Sequence, residues 1–216
     1  MKSIITKIVC MALIVFCTLA MVACSTEASA EEPEDLDLIV KMSSSEADAI
    51  LAYLNESTAI QNGDISEEDV EYVGTILDRK ISRKEFMARY QMILSGRDNY
   101  ENYGKAAWDS LKMDIWEQHF AEKRDLYPTT NEIKAYVDEV RLTVESTDKG
   151  VKQVASYAES LGMTVEDYWN YIAGYVAPQD LNHKRVMGFL GSVNMEPADV
   201  DLVTSTFDDD SFLQSL

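Results

Sequence analysis

The sequence predicts an all-α protein, and three observations carry that prediction. Ahead of apolar-periodic stretches, Ser or Thr stands three residues before an acid at Ser43/Glu46, Ser66/Asp69, Ser82/Glu85, Thr129/Glu132 and Thr164/Asp167. That is the capping-box spacing, in which the hydroxyl accepts from the N3 amide and the acid favours the positive end of the helix. Apolar residues recur at helical spacing after these signals. No run of strand-like alternation exceeds Val70 to Leu77, and a helix accommodates even that segment.

The first residues are set apart from the fold. Lys2 and Lys7 form a short positive region, and Ile8 to Val22 is an almost unbroken apolar run ending in small residues, the pattern of a secretory signal peptide. A helix of that length is short for a bilayer core of ~30 Å, and no second such run follows, which excludes a multi-span protein. Leu19-Ala20-Met21-Val22-Ala23-Cys24 resembles the lipobox of bacterial lipoproteins, with Met21 the less usual residue. On that reading residues 1–23 are the signal and Cys24 is the lipid-attachment site, a diacylated anchor to the membrane. The alternative is an ordinary signal peptide cut after Ala28 or Ala30. Residues 24–42, polar, acidic and carrying Pro33, read as a flexible tether.

Cleavage before Cys24 leaves 193 of the 216 residues, and losing Lys2 and Lys7 takes the formal charge from −19 to −21. Cys10 and Cys17 leave with the signal, so the exported chain has no disulfide to form and depends on packing. Twice as many acids as bases, 38 against 19, leave no basic surface for phosphates, which excludes nucleic acid as a partner. Two His and three Cys supply too little for a zinc cluster, and no metal or other cofactor is expected.

The helices follow in order. Residues 43–64 form an accessory N-terminal helical segment, 65–192 the helical domain, and 193–216 an acidic C-terminal tail with room for a short helix. After Ser82, one face carries Phe86, Tyr90, Ile93 and Leu94. After Thr129 the stripe is Ile133, Tyr136, Val137, Val140 and Val144; after Thr164 it is Val165, Tyr168, Trp169, Ile172 and Val176. Between them Val151, Val154, Ala155, Ala158 and Leu161 form another, ended by Gly162 as C-cap. Pro128 and Pro178 mark boundaries, where a missing N–H does least harm.

The helix expected from about Lys105 to Leu126 has two apolar sectors: Trp108, Leu111, Ile115 and Leu126 in one, Met113, Trp116 and Phe120 in the other. Two sectors need two partners. Either neighbouring helices cover both, or the second faces a groove for a peptide or partner protein. The candidate contacts for such a polypeptide are Met113, Trp116, Phe120, Tyr168, Tyr171 and Tyr175, each of which also suits a core.

Catalytic and metal motifs are not found. His119 lies beside the Trp108 sector, as a half-buried histidine does, and His183 lies in the polar stretch Gln179 to Arg185. There is no nucleophile elbow and no Gly-rich phosphate loop. Asp208-Asp209-Asp210 lacks the alternating ligands and central Gly of a calcium loop and reads as solvated tail.

In their order along the chain, the helical motifs from about Glu71 to Leu190 resemble the N-terminal chaperone domain of SurA-type and PrsA-type extracytoplasmic foldases. Val73-Gly74-Thr75-Ile76-Leu77-Asp78-Arg79-Lys80-Ile81-Ser82-Arg83-Lys84-Glu85-Phe86 is similar to that family's opening motif, with Leu77-Asp78 in place of its Asn-Gly-like turn. Trp108, Leu111, Ile115, His119 and Phe120 stand where its long central helix does. Tyr127-Pro128-Thr129-Thr130-Asn131-Glu132-Ile133 and Leu161-Gly162-Met163-Thr164-Val165-Glu166-Asp167-Tyr168-Trp169 resemble its later motifs. The paired histidines and Gly-Gly-rich segment of the family's parvulin-type isomerase domain have no counterpart in this sequence.

The resemblance implies a SurA N-terminal-like helical module on the outer face of a Gram-positive cytoplasmic membrane. It would cradle unfolded or exported polypeptides without isomerising them. The charge of −21 would keep a loaded protein soluble and favours clients with basic segments. Two other roles stay open: an interaction lipoprotein docking one defined envelope partner, and a prolyl-isomerase-related enzyme with a cryptic site.

Overall fold

A computed structural model describes residues 39, 41–96, 98–208 and 212. The signal sequence, Cys24 and nearly all of the tether lie outside the described residues. The chain is mostly helical, with one small sheet. It divides into two compact units, one containing Pro128–Leu181, the other Ser43–Tyr127 with Asn182–Leu216.

The larger unit opens with α1, Ser44–Asn62, whose Ser43 Oγ accepts from the Glu46 N–H at 3.2 Å. Ala47, Ile50 and Leu54, at intervals of three and four, are buried. Ser66 caps only a short 3-10 turn, Glu67–Asp69, accepting from the Glu68 N–H. The next segment departs from the all-α expectation. Val70 to Leu77 is not helix: β1, Tyr72–Ile76, and β2, Arg79–Ser82, form an antiparallel hairpin with Ile76 opposite Arg79 and a bulge between Tyr72 and Gly74.

Leu77 turns that hairpin at φ 55°, a left-handed conformation costly for a leucine. Gly74 is required by closeness: a Cβ there would stand 2.2 Å from the Thr206 carbonyl oxygen and 3.0 Å from the Trp108 ring. Thr206 belongs to β3, Ser205–Phe207, which pairs with the other edge of β1 and gives the order β2-β1-β3. The segment after residue 193, expected as an acidic tail, therefore supplies a strand, and beyond it Phe212 is buried.

Ser82 ends β2 and caps α2, Arg83–Ser95, its Oγ accepting from the Glu85 N–H at 3.1 Å. Phe86, Tyr90 and Ile93 are buried as expected, but Leu94 is exposed. The central helix α3 spans Tyr103–Glu122, capped by Asn102, whose Oδ1 accepts from the Lys105 N–H at 2.7 Å. Trp108, Leu111 and Ile115 are buried. Leu126 is not on the helix, because Asp125 at φ 55° turns the chain and sends the Leu126 N–H back to the Ala121 carbonyl at 2.9 Å.

The smaller unit is a run of helices: α4, Thr130–Glu145; α5, Asp148–Ser160; α6, Val165–Tyr171. Thr129 and Thr164 form complete capping boxes with Glu132 and Asp167. Gly162, at φ 61°, ends the turn after α5 as expected. Val137, Val144, Val154, Ala158, Leu161, Tyr168, Trp169 and Ile172 are buried; Val151 and Val165, placed in the same stripes, are exposed. A π-helical stretch, Ile172–Val176, continues into α7, Ala177–Ser192, whose later turns belong to the larger unit. Pro178 thus lies inside a continuous helical run rather than at its end. The wide turn, with the Ala177 N–H donating to the Ile172 carbonyl, accommodates a residue without an N–H. Among the described residues no helix is long and apolar enough to cross a membrane.

The hairpin makes a direct test. Leu77→Gly removes the left-handed penalty and should raise stability by about 1 kcal/mol, whereas Gly74→Ala should lower it by about 1–3 kcal/mol through the clash with β3. Urea midpoints at unchanged slope read both. Midpoints equal to that of the unaltered protein would contradict this packing.

Candidate functional site

The six candidate polypeptide contacts fall in both units. Tyr168, Tyr171 and Tyr175 lie in the smaller one, on the α6 and π-helical run. Tyr168 is buried, and its ring lies 6.2 Å from Tyr157 and 6.1 Å from Tyr171, which stacks on Tyr175 at 5.9 Å. Burial, chiefly, raises the Tyr168 phenol far above its ordinary pKa. Tyr168 is therefore core, and Tyr171 and Tyr175 are its half-buried continuation.

Met113, Trp116 and Phe120 lie in the larger unit on α3. Phe120 is only 8% exposed and forms a buried cluster with Ala121 and, from α7, Val186 and Leu190. Around it Trp116, Leu126, Tyr127, Met187 and Phe189 are partly buried. The Trp116 and Phe120 rings are 5.2 Å apart, and Phe189 meets Phe120 edge-on at 5.9 Å. The local cause is simple. Val186 and Leu190 share one face of α7 at i,i+4, Phe120 and Ala121 close the last turn of α3, and the left-handed Asp125 folds Leu126 back against them. Phe120 thus supplies the floor and Trp116 the rim, while Met113 is half-buried farther along the helix.

Two cations edge this cluster. The Arg124 guanidinium lies 3.7 Å above the Phe120 ring and donates to the Phe120 carbonyl at 3.3 Å. Arg185 donates to the Leu126 carbonyl at 3.3 Å. Next to them Glu117, 5% exposed, faces His183 Nδ1 at 2.8 Å. Burial is the main influence on Glu117 and raises its carboxyl above the ordinary value of 4.5, against the hydrogen bond and charge of His183 and in concert with the nearby Asp114. Farther along the same helix, Arg89 bridges Ser110 at 2.8 Å and Asp114 at 2.5 Å.

No protein-family model, curated protein or solved structure matches this chain.

The reading of the site therefore rests on its own residues. Among the described residues no group of three or more His, Cys, Asp or Glu forms a metal site. A groove of about 360 Å³ between α1 and α2 has a floor of Ala49, Ala52 and Met87, but its two cations are already matched, Arg83 by Glu71 and Lys84 by Glu56. The α3–α7 face offers larger apolar side chains and a different electrostatic edge. Glu117, Arg124, Met187 and Phe189 were not singled out from the sequence. Glu117 and His183 are 66 positions apart, and only the spacing of Val186, Phe189 and Leu190 hinted at an apolar face on α7.

The raised Glu117 carboxyl gives a pH dependence with a definite sign. Its pKa is higher folded than unfolded, so its contribution to stability is full below about pH 4.5 and is lost as pH rises through the folded value. Glu85 and Glu46, raised by burial in the same unit, act in the same direction. The thermal midpoint should rise between pH 7 and pH 5, and Glu117→Gln should flatten part of that rise. A midpoint that falls over this interval, or a slope unchanged by the substitution, would contradict the assignment.

Proposed function

We propose that this protein is a membrane-anchored extracytoplasmic chaperone-like protein that holds unfolded or exported polypeptides. The observation that carries the reading is the face over Phe120. Five partly buried apolar side chains, three of them aromatic, ring a fully packed floor without being fully covered themselves. Such a face gives apolar segments a place to shed water, and the flexible Met187 beside rigid rings suits clients of varied shape. The similarity of the helical motifs to SurA-type and PrsA-type chaperone domains supports the same reading, and the lipobox-like Leu19–Cys24 segment supports anchoring. Proline isomerisation faces a barrier of ~18–20 kcal/mol, and an apolar face binds both isomers without favouring the twisted state between them, so the proposed activity is holding alone.

The geometry also selects the variants. Phe120→Ala would remove a floor residue at a cost of about 3–5 kcal/mol and confuse folding with function. Trp116→Ala with Met187→Ala alters the rim. Excess mature protein should suppress aggregation of several unrelated unfolded proteins, and this double variant should do so markedly less while keeping a cooperative thermal transition. Unchanged client aggregation in the presence of the unaltered protein would overturn the reading. Suppression confined to a single client would favour docking of one defined partner instead.

A further inference from the structure

We propose that the Trp116–Phe120 face takes polypeptide segments in which a carboxylate stands beside apolar side chains, with Arg124 as the carboxylate's partner. This rests on the holding function above and names its client chemistry. Arg79, Arg83, Arg89 and Arg141 each lie against a carboxylate, as expected in a chain with 38 acids and 19 bases. Arg124 does not: among the described residues no carboxylate lies within ion-pair distance of it, and it is exposed. Its guanidinium carbon lies 3.7 Å over the Phe120 ring, and the hydrogen bond to the Phe120 carbonyl uses one of five N–H donors. The remaining donors form a fork oriented in advance, the geometry that binds carboxylates in pairs of parallel bonds.

Of the neighbouring charges, the exposed Asp125 is the next residue in the chain, and cations outnumber it. Lys123 and Lys184 are exposed in the adjoining turns, and Arg185 is tied to the Leu126 carbonyl. The closest acids along α3 are engaged, Glu117 with His183 and Glu122 with the Gln118 amide at 2.8 Å. The chain as a whole is at −19, which on its own favours basic clients. At physiological salt, however, charges beyond about 8 Å are largely screened, so the edge of the site outweighs the distant surface. The same excess of acid disfavours a second copy as occupant, since two such chains repel.

The test uses two unstructured peptides with identical aromatic and aliphatic residues, flanked in one by Asp and in the other by Lys. Each is titrated by fluorescence anisotropy into the full mature chain at physiological salt. The Asp peptide should bind about fivefold tighter, on the order expected for an oriented but solvent-exposed ion pair. Arg124→Gln should erase that difference while leaving the Lys peptide unchanged, and Arg124→Lys should retain part of it. Equal binding of both peptides, or an equal loss for both in Arg124→Gln, would overturn the proposal and leave Arg124 as a helix cap, with the holding function intact if aggregation is still suppressed. Failure of both peptides to bind, together with unaltered client aggregation, would overturn both readings. A free chain that sediments as a dimer split by Arg124→Gln would assign the face to a second copy and overturn the acidic client.

Discussion

Phe86 lies fully buried among rings drawn from distant parts of the chain: Trp108 at 6.3 Å, Phe207 at 5.4 Å, Phe212 at 5.7 Å and, on its own helix, Tyr90 at 6.4 Å. Each such pair is worth about 0.5–1.5 kcal/mol beyond the apolar area it buries. Together they join α2, α3, the third strand and the last described residue. Trp108 also meets Phe207 edge-on at 4.8 Å, and its indole N–H donates to Ser205 Oγ at 3.4 Å. Gly74 is a consequence of this nest, because β1 can lie between β3 and the Trp108 ring only where no side chain intervenes. Without the nest the sheet would lose its third strand and α3 its anchorage.

Anchoring α3 near its beginning has consequences near its end. Trp108, Leu111 and Ile115 are committed to the core, which turns Trp116 and Phe120 toward α7. Val186 and Leu190 cover Phe120, but the last turn of α3 and the loop through Tyr127 leave the surrounding side chains only half covered. The result is a rigid helix end carrying incompletely buried rings, with the Glu117–His183 contact fixing α7 against it at 2.8 Å. Rigidity limits the entropy lost when an apolar segment settles on such a surface. Arg124, over the Phe120 ring, puts a cation at the edge of the same face.

What was legible in the sequence is what depends on near neighbours. All five Ser/Thr-to-acid signals act as caps, because the interaction spans two or three residues and needs no tertiary partner. Asn102 and Thr147 cap as well and escaped notice only because no acid stands at the matching position. The strand at Tyr72–Ile76 was ambiguous because half its pairing comes from Ser205–Phe207, some 130 positions later, in a stretch whose acids suggested solvent. Of the six proposed contacts, Trp116 is partly buried at the edge of the Phe120 cluster, while Phe120 and Tyr168 are core, a difference that periodicity does not express. The cation on Phe120 and the carboxylate beside His183 arise from chain reversal and helix packing, which leave no local mark.

We propose that the aromatic nest around Phe86 holds α3 so that its far end works as the polypeptide-holding face. Hydrogen exchange read by mass spectrometry, with and without a bound unfolded client, tests this most directly. New protection should be confined to the segments around residues 113–127 and 182–190, with the strands at 72–82 and 205–207 equally slow in both states. Protection appearing at the strands or along α1, or no change at the α3–α7 face while client is bound, would contradict it.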